Sequence, residues 1–399
     1  VNARAALLVS LVAFAVSAAQ PTWTTGSDLR VEAIASLIDE ERSFLGDPGP
    51  SLAAARRWSV DHRAPLYARD LTVGSSFIYP PIAAAPYLPL AFHAPASARS
   101  ALSLVSRALF LVCVALLAWL GRAGRRLRGS ELLAALLTAV AFFPLVHAVQ
   151  LNQATLLVTA LIGGTLVALV EERALLGGAL FGVTLAFKPQ LVLVLPLVLA
   201  RSRSFVAGAL AVGLALLLAS LAFAGLDNHV TYAIRVLPAL TRGYAYFANQ
   251  SLNGFFQRLL VEADVGVFRM PPPSRAVLTL TVLTGLAAMV WALRVLRRAS
   301  ARTPLWLAFS FAWTMATMVS PIAWQHHYAP ALFVFALLWR SAPGAPLLVA
   351  FVAMAGYLEV RGWHGRLPLL AASHVLYGAL VLALVSGGRI ERLVDSEAS

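Results

Sequence analysis

An all-α polytopic membrane protein is the fold class this sequence predicts, and three observations carry that prediction. Of 399 residues, 60% are hydrophobic and only 12% charged, with a mean hydropathy of +0.78. A soluble domain keeps about a quarter of its residues charged, so a chain this apolar needs lipid as its solvent. Apolar runs near spanning length recur along the chain. The net charge of +13 is gathered in short arginine clusters between those runs, as in the cytoplasmic loops of membrane proteins. That placement argues against nucleic acid as a partner. The lone Cys113 sits inside an apolar run, which excludes an intrachain disulfide and disfavours thiolate chemistry.

Arginine clusters assign sides to the elements in order. Ala5 to Gln20 reads as an uncleaved first helix crossing outward; a signal peptide ending near Val16-Ser17-Ala18 is the alternative. A long outer loop, 21–81, follows. Within it Leu29 to Phe44 places Val31, Ile34, Ala35 and Ile38 on one face, the mark of an amphipathic surface helix. Asp47-Pro48-Gly49-Pro50 breaks it, and a second short helix runs to Asp61. Ile82 to Phe92 carries Pro86 and Pro89 and reads as re-entrant or interfacial.

Ala98 to Leu120 then crosses inward to the cluster at Arg122, Arg125, Arg126 and Arg128. Glu131 to Ala148 crosses outward, and Ala154 to Val170 returns to the inner turn Glu171-Glu172-Arg173. Leu175 to Phe187 and Leu191 to Ala200 form a hairpin with Lys188 at its outer end, because both flanks carry inner arginines. Phe205 to Phe223 crosses outward to a second outer loop, 225–274. Ala276 to Leu296, Pro304 to Val319, Tyr328 to Trp339, Pro346 to Leu358 and Leu367 to Val385 complete about twelve crossings, with both termini inside and one membrane domain spanning 1–399.

On this map the polar residues gather on the outer side. Asp28, Tyr79-Pro80-Pro81, Gln150 to Gln153, Lys188-Pro189-Gln190, Asn249 to Gly254 and Ser320 to Tyr328 all fall there, while inner loops hold mainly arginines. Ionisable groups at a membrane boundary are costly and usually functional. Any one stretch is equally well explained as an interfacial helix cap. Six on one face point to a single polar site.

The order of these stretches resembles a known family. Asp28-Leu29-Arg30-Val31 is followed by Phe77-Ile78-Tyr79-Pro80-Pro81, Asn152-Gln153, Phe187-Lys188-Pro189, Asn249-Gln250-Ser251-Leu252-Asn253-Gly254 and Ser320-Pro321-Ile322-Ala323-Trp324-Gln325-His326-His327. The pattern resembles glycosyltransferase family 87, membrane enzymes of the GT-C class. The resemblance implies the GT-C fold and transfer of a hexose, usually mannose, from a polyprenyl-phosphate donor to a glycolipid or glycan acceptor. Transfer would take place at the extracytoplasmic face of the plasma (inner) membrane, with inversion. It implies no cofactor, no metal and no nucleotide-sugar site.

Transfer from a lipid phosphate needs no acid for its leaving group, unlike glycoside hydrolysis with its two carboxylates. It needs a base for the acceptor hydroxyl and cations for the phosphate. Asp28 fits the base; from the residues alone, a helix N-cap is an equal reading. Lys188, the only lysine, fits a phosphate contact, with snorkelling to headgroups as the alternative. Arg30 would add a second cation. His326 and His327 offer hydrogen bonds to phosphate or acceptor without a metal, and interfacial packing competes for each. Asn249, Gln250 and Asn253 offer neutral groups for sugar hydroxyls, although turns use the same residues. Asn152 and Gln153 complete the substrate-binding set. Tyr79, held extended before two prolines, would form a rigid wall. A transporter or flippase of lipid-linked sugars and a non-catalytic scaffold are the competing readings; the inner halves of the helices lack the polar path that a transporter needs.

Overall fold

A computed structural model of the chain describes residues 36–37, 49–61, 64–67, 77–122, 128–261, 265–266, 268–341, 343–358 and 370–398. Asp28, Arg30, the expected first helix and nearly all of the expected amphipathic helix lie outside the described residues. Within them the backbone is helical, and one isolated antiparallel bridge joins Asn249 to Trp324. Helices satisfy their own N–H and C=O groups, which an apolar setting requires.

The chain forms α1 (Gly49–Val60), a 3₁₀ segment at Pro81–Leu90, α2 (Pro95–Gly121), α3 (Gly129–Ala141), α4 (Phe143–Gln150) and α5 (Thr155–Val170). Next come α6 (Ala174–Phe187), a 3₁₀ turn at Pro189–Leu193, α7 (Val194–Leu199), α8 (Arg203–Thr231), a π turn at Tyr232–Val236 and α9 (Leu237–Leu240). The rest is α10 (Leu252–Leu260), α11 (Arg275–Arg298), α12 (Leu305–Val319), a 3₁₀ turn at Gln325–Tyr328, α13 (Ala331–Ser341), α14 (Ala345–Ala355) and α15 (His374–Ala398).

Two expected crossings change shape. Glu131 to Ala148 is not one rod: Pro144 has no N–H to donate, Phe142 turns to φ −88° and ψ 93°, and α3 and α4 meet at 73°. The run from Phe205 does not stop at Phe223. It passes a kink at Gly225, where φ is +73°, and continues into the expected second loop as far as Leu240. Among the described residues, three helical stretches are long and apolar enough to cross a membrane: α2, Arg203–Leu240 and α11; the bent α3–α4 pair would be a fourth. The described residues therefore do not establish twelve crossings. The other runs form shorter apolar helices, among them α5, α6, α12 and α14. On α11, Leu278, Val282, Leu283, Leu286 and Val290 are exposed, and on α8 Leu210, Leu214, Leu217 and Leu218 are. Apolar rows of this extent are covered by lipid.

Glycines set the helix packing beside the expected hairpin. A Cβ on Gly178 would collide with Phe205 O, and one on Gly182 would lie 2.6 Å from Ala209 O. The contacts advance in the same direction along both helices, so α6 and α8 run parallel. The segment between them, with Lys188 at its far end, must therefore return to the end where α6 began, as the arginine pattern predicted.

That end is held by arginines. Arg201 donates to Ala299 O (2.9 Å), Ser300 O (2.7 Å) and Thr303 O (3.2 Å), closing the exit of α11. Arg340 donates to Leu120 O, and Arg122 pairs with Glu171 at 3.7 Å. Guanidinium groups suit these sites because helix C-termini present unsatisfied carbonyls and the negative end of the dipole. The turn after α5 is a Schellman motif: Arg173 N–H reaches Ala168 O, Glu172 N–H reaches Leu169 O, and Glu172 takes φ +59°.

Gly178→Ala should lower stability by about 1–3 kcal/mol, as overpacking does. Gly213→Ala, where a Cβ meets nothing within 4 Å, should be neutral or slightly stabilising. Thermal melting of the detergent-solubilised chain separates the two; equal melting would refute the close α6–α8 packing.

Candidate active site

At the end opposite the arginines, α6 stops at Phe187 because Pro189 cannot continue the helix and holds Lys188 extended, at φ −133° and ψ 69°. The lysine is buried, 7% exposed. Its Nζ lies 2.6 Å from His327 Nε2, 139 residues away in sequence, and 5.6 Å from the centre of the Tyr79 ring. The ammonium meets the imidazole and faces the negative π surface of the Tyr79 ring. The other nitrogen of His327, Nδ1, accepts from Trp324 N–H at 3.3 Å. Tyr79 is fixed from behind, since Tyr67 Oη donates to Tyr79 O at 2.8 Å.

His326 stands edge-on to His327, with ring centres 4.8 Å apart. Burial holds both imidazoles well below their usual pKa of 6.5, reinforced for His327 by Lys188 and His326, and for His326 by His147 and Lys188. Both are neutral at pH 7, each able to donate and to accept. A narrow cavity borders Lys188 and His327, lined also by Thr155, Gln190, Thr317 and Ser320. Among the described residues, no three His, Cys, Asp or Glu side chains are grouped to hold a metal ion.

The histidines sit on a loop that needs external support. Asn249 supplies part of it: its Nδ2 donates to Tyr244 O (3.1 Å) and Pro321 O (3.3 Å), and its Oδ1 accepts from Ser251 Oγ (2.9 Å) and Ala323 N (3.0 Å). Gln250, next to it, ties the same turn to the start of α15. Its Nε2 donates to Phe247 O and Ala372 O, and its Oε1 accepts from Val375 N and Leu376 N. One side chain thereby satisfies two N–H groups at the start of α15, which the helix itself cannot pair. Gln250 N donates to Ala323 O, and Tyr328 Oη donates to Gln250 O.

Arg258, 3% exposed, underpins the same loop from α10 through Tyr246 O, Asn249 O and Ser373 Oγ. Burial lowers its pKa to about 10, which leaves it charged at pH 7. Asn253 Nδ2 reaches Thr241 O at 3.4 Å.

Of the residues singled out by sequence, Tyr79, Lys188, His326 and His327 come together. Asn249 and Gln250 lie behind them, with their amides engaged by the protein's own backbone. Asn253 is one turn further back on α10. Asn152 is buried and takes the left-handed φ of +51° after α4, and Gln153 accepts from Thr155 Oγ1 at 3.3 Å. Asp28 and Arg30 lie outside the described residues.

Sequence reading passed over His147, Gln150 as a side chain of the site, and Arg258. The signals were present: Pro144 announces a broken helix, His147 and Gln150 are spaced to share its face, and Arg258 lies one helical turn beyond Gly254, where the Asn-Gln-Ser-Leu-Asn-Gly stretch ends.

The model of glycosyltransferase family 87 matches residues 77–321 of this chain, and no curated protein matches it.

Two outcomes follow from this geometry. Gln250→Leu strands two donors and two acceptors, and should lower stability by on the order of 3 kcal/mol, read as a fall in melting temperature. The linkage of His326 has a definite sign. Unfolded, it takes up a proton below pH 6.5; folded, it does not. Stability is therefore lost as pH falls below 6.5, by up to about 1.4 kcal/mol per pH unit. Melting between pH 7.5 and 5 should show this slope, and His326→Gln should reduce it.

Proposed function

The chain belongs to glycosyltransferase family 87, a membrane glycosyltransferase, and we propose that it transfers a hexose, mannose first among them, from a polyprenyl-phosphate donor to a glycolipid or glycan acceptor. The proposal includes a GT-C architecture of about twelve spans, with catalysis at the extracytoplasmic face of the plasma membrane. The observation that supports this reading best is the meeting of Lys188, His326, His327 and Tyr79 from three distant segments at the end of the bundle away from the arginines.

In the proposed reaction, an acceptor hydroxyl attacks the anomeric carbon on the face opposite the phosphate. The new carbon–oxygen bond forms as the bond to the phosphate oxygen breaks, which inverts the centre. Polyprenyl phosphate departs with the electron pair and, as a stable anion, needs no proton. The acceptor proton passes to Asp28, the general base of this proposal. Lys188 is suited to the phosphate. Its compact ammonium, already in contact with a neutral imidazole, can take up an anion with gain of a charge-assisted bond. His326 and His327, both neutral, can donate to phosphate oxygens without a metal. Arg30, Asn152, Gln153 and Asn253 complete the proposed substrate contacts, and Asn249 and Gln250 act by holding the turn on which the histidine loop rests.

Transfer of labelled mannose from polyprenyl-phosphate mannose, measured in membranes containing the full chain, tests the reading. Asp28→Asn should remove activity by at least about a hundredfold while leaving donor binding intact. Lys188→Gln should weaken donor binding. Full activity in Asp28→Asn refutes the base; incorporation from a nucleotide sugar without lipid carrier refutes the donor; movement of the lipid-linked sugar across vesicles without transfer favours a flippase.

A further inference from the structure

Beside the Lys188–His327 pair lies a second group of polar side chains that carries no charge. The 73° bend before α4 turns that helix against the 3₁₀ turn at Gln325–Tyr328. His147 Nδ1 donates to Gln150 Oε1 at 3.1 Å, which leaves His147 Nε2 as an acceptor. The His147 ring stacks on Phe143 and stands 5.7 Å, edge-on, from the His326 ring. Gln150, Gln325 and His326 are 0%, 1% and 5% exposed, yet Gln150 Nε2, both amide atoms of Gln325 and His326 Nε2 have no hydrogen-bond partner among the described residues. The nearby amides of Asn249 and Gln250, by contrast, are paired at both ends. Leaving one polar group unpaired in a buried place costs about 1–3 kcal/mol, and this cluster contains several.

We propose that His147, Gln150 and His326 form a subsite for the hydroxyl groups of the transferred sugar, separate from the cationic contact at Lys188. The reading rests on the proposed lipid-phosphate sugar donor. Its chemistry follows from the groups present. Neutral donors and acceptors in a buried place match an uncharged polyol, whose hydroxyls both give and take hydrogen bonds, whereas an anion would leave the acceptors among them unpaired. The two contacts are joined through the adjacent rings of His326 and His327. A ligand with an anionic and a polyol part, one monosaccharide apart, would span them. A site built to hydrogen-bond hydroxyls discriminates against ligands that lack them, because its buried groups are then left unpaired.

The test is binding of two probes to the detergent-solubilised full chain: short-chain polyprenyl-phosphate mannose and polyprenyl phosphate without sugar. His147→Phe keeps the ring stacked on Phe143 and removes its polar atoms, and Gln150→Met keeps length and flexibility. Each should weaken binding of the mannosylated lipid about tenfold and leave binding of the bare phosphate unchanged, with melting temperatures recording that both variants are folded. Lys188→Gln should weaken both probes. Equal weakening of the two probes by His147→Phe or Gln150→Met, or no weakening of either, overturns the subsite and leaves the donor proposal standing. If wild-type protein binds neither probe, the donor proposal falls and the subsite with it.

Discussion

The arrangement depends on the cost of leaving polar groups unpaired where water is scarce. The loop of Ser320 to Tyr328 carries two histidines into an apolar interior, and its backbone there has few regular partners. Asn249 provides some through its side chain, at Pro321 O and Ala323 N, and the backbone of Ala248 and Gln250 provides others, at Gln325 N and Ala323 O. The side chains of Asn249 and Gln250 each use both ends of the amide, so each joins segments far apart in sequence. Asn249 connects the 244–251 turn to Pro321 and Ala323, and Gln250 connects that turn to the start of α15. Without these bonds, buried carbonyls and N–H groups would be stranded, each at about 1–3 kcal/mol. The position of His326 and His327 is thus a consequence of amides that need not touch a ligand.

The two ends of the bundle answer the same requirement with different chemistry. At one end, Arg201 and Arg340 close helix C-termini by donating to carbonyls. Guanidinium serves this purpose because its forked donors reach several acceptors at once. At the other end stands the only lysine. Its ammonium is compact, and one of its close contacts is a neutral imidazole ring. The neutral cluster of His147, Gln150 and His326 next to it extends the site without adding charge.

Much of the fold was legible before any coordinates. Composition gave the membrane class, and Pro189 after Lys188 gave a helix break at the turn of a hairpin, which the parallel packing of α6 on α8 bears out. The arginine clusters located one end correctly, since their side chains now close the helices there. Other readings were too simple. Hydropathy sees Glu131 to Ala148 as one apolar run, but hydropathy carries no direction, and a single proline turns the helix by 73°. The run from Phe205 outlasts its apolar window because a glycine with positive φ lets the helix bend and continue.

For the site, sequence alone determined which chemistry was present: one lysine, a histidine pair, an amide-rich stretch and a tyrosine before two prolines. Residue type and spacing fix what a side chain can donate, accept or carry. Only the tertiary structure decided what each was joined to. It sorted the amides of Asn249 and Gln250 into the frame, paired Lys188 with His327, and brought His147 from a bent helix to the edge of His326. Those assignments depend on contacts between segments more than a hundred residues apart. No local pattern encodes them, because the energy that selects them arises only when the polar groups are buried together.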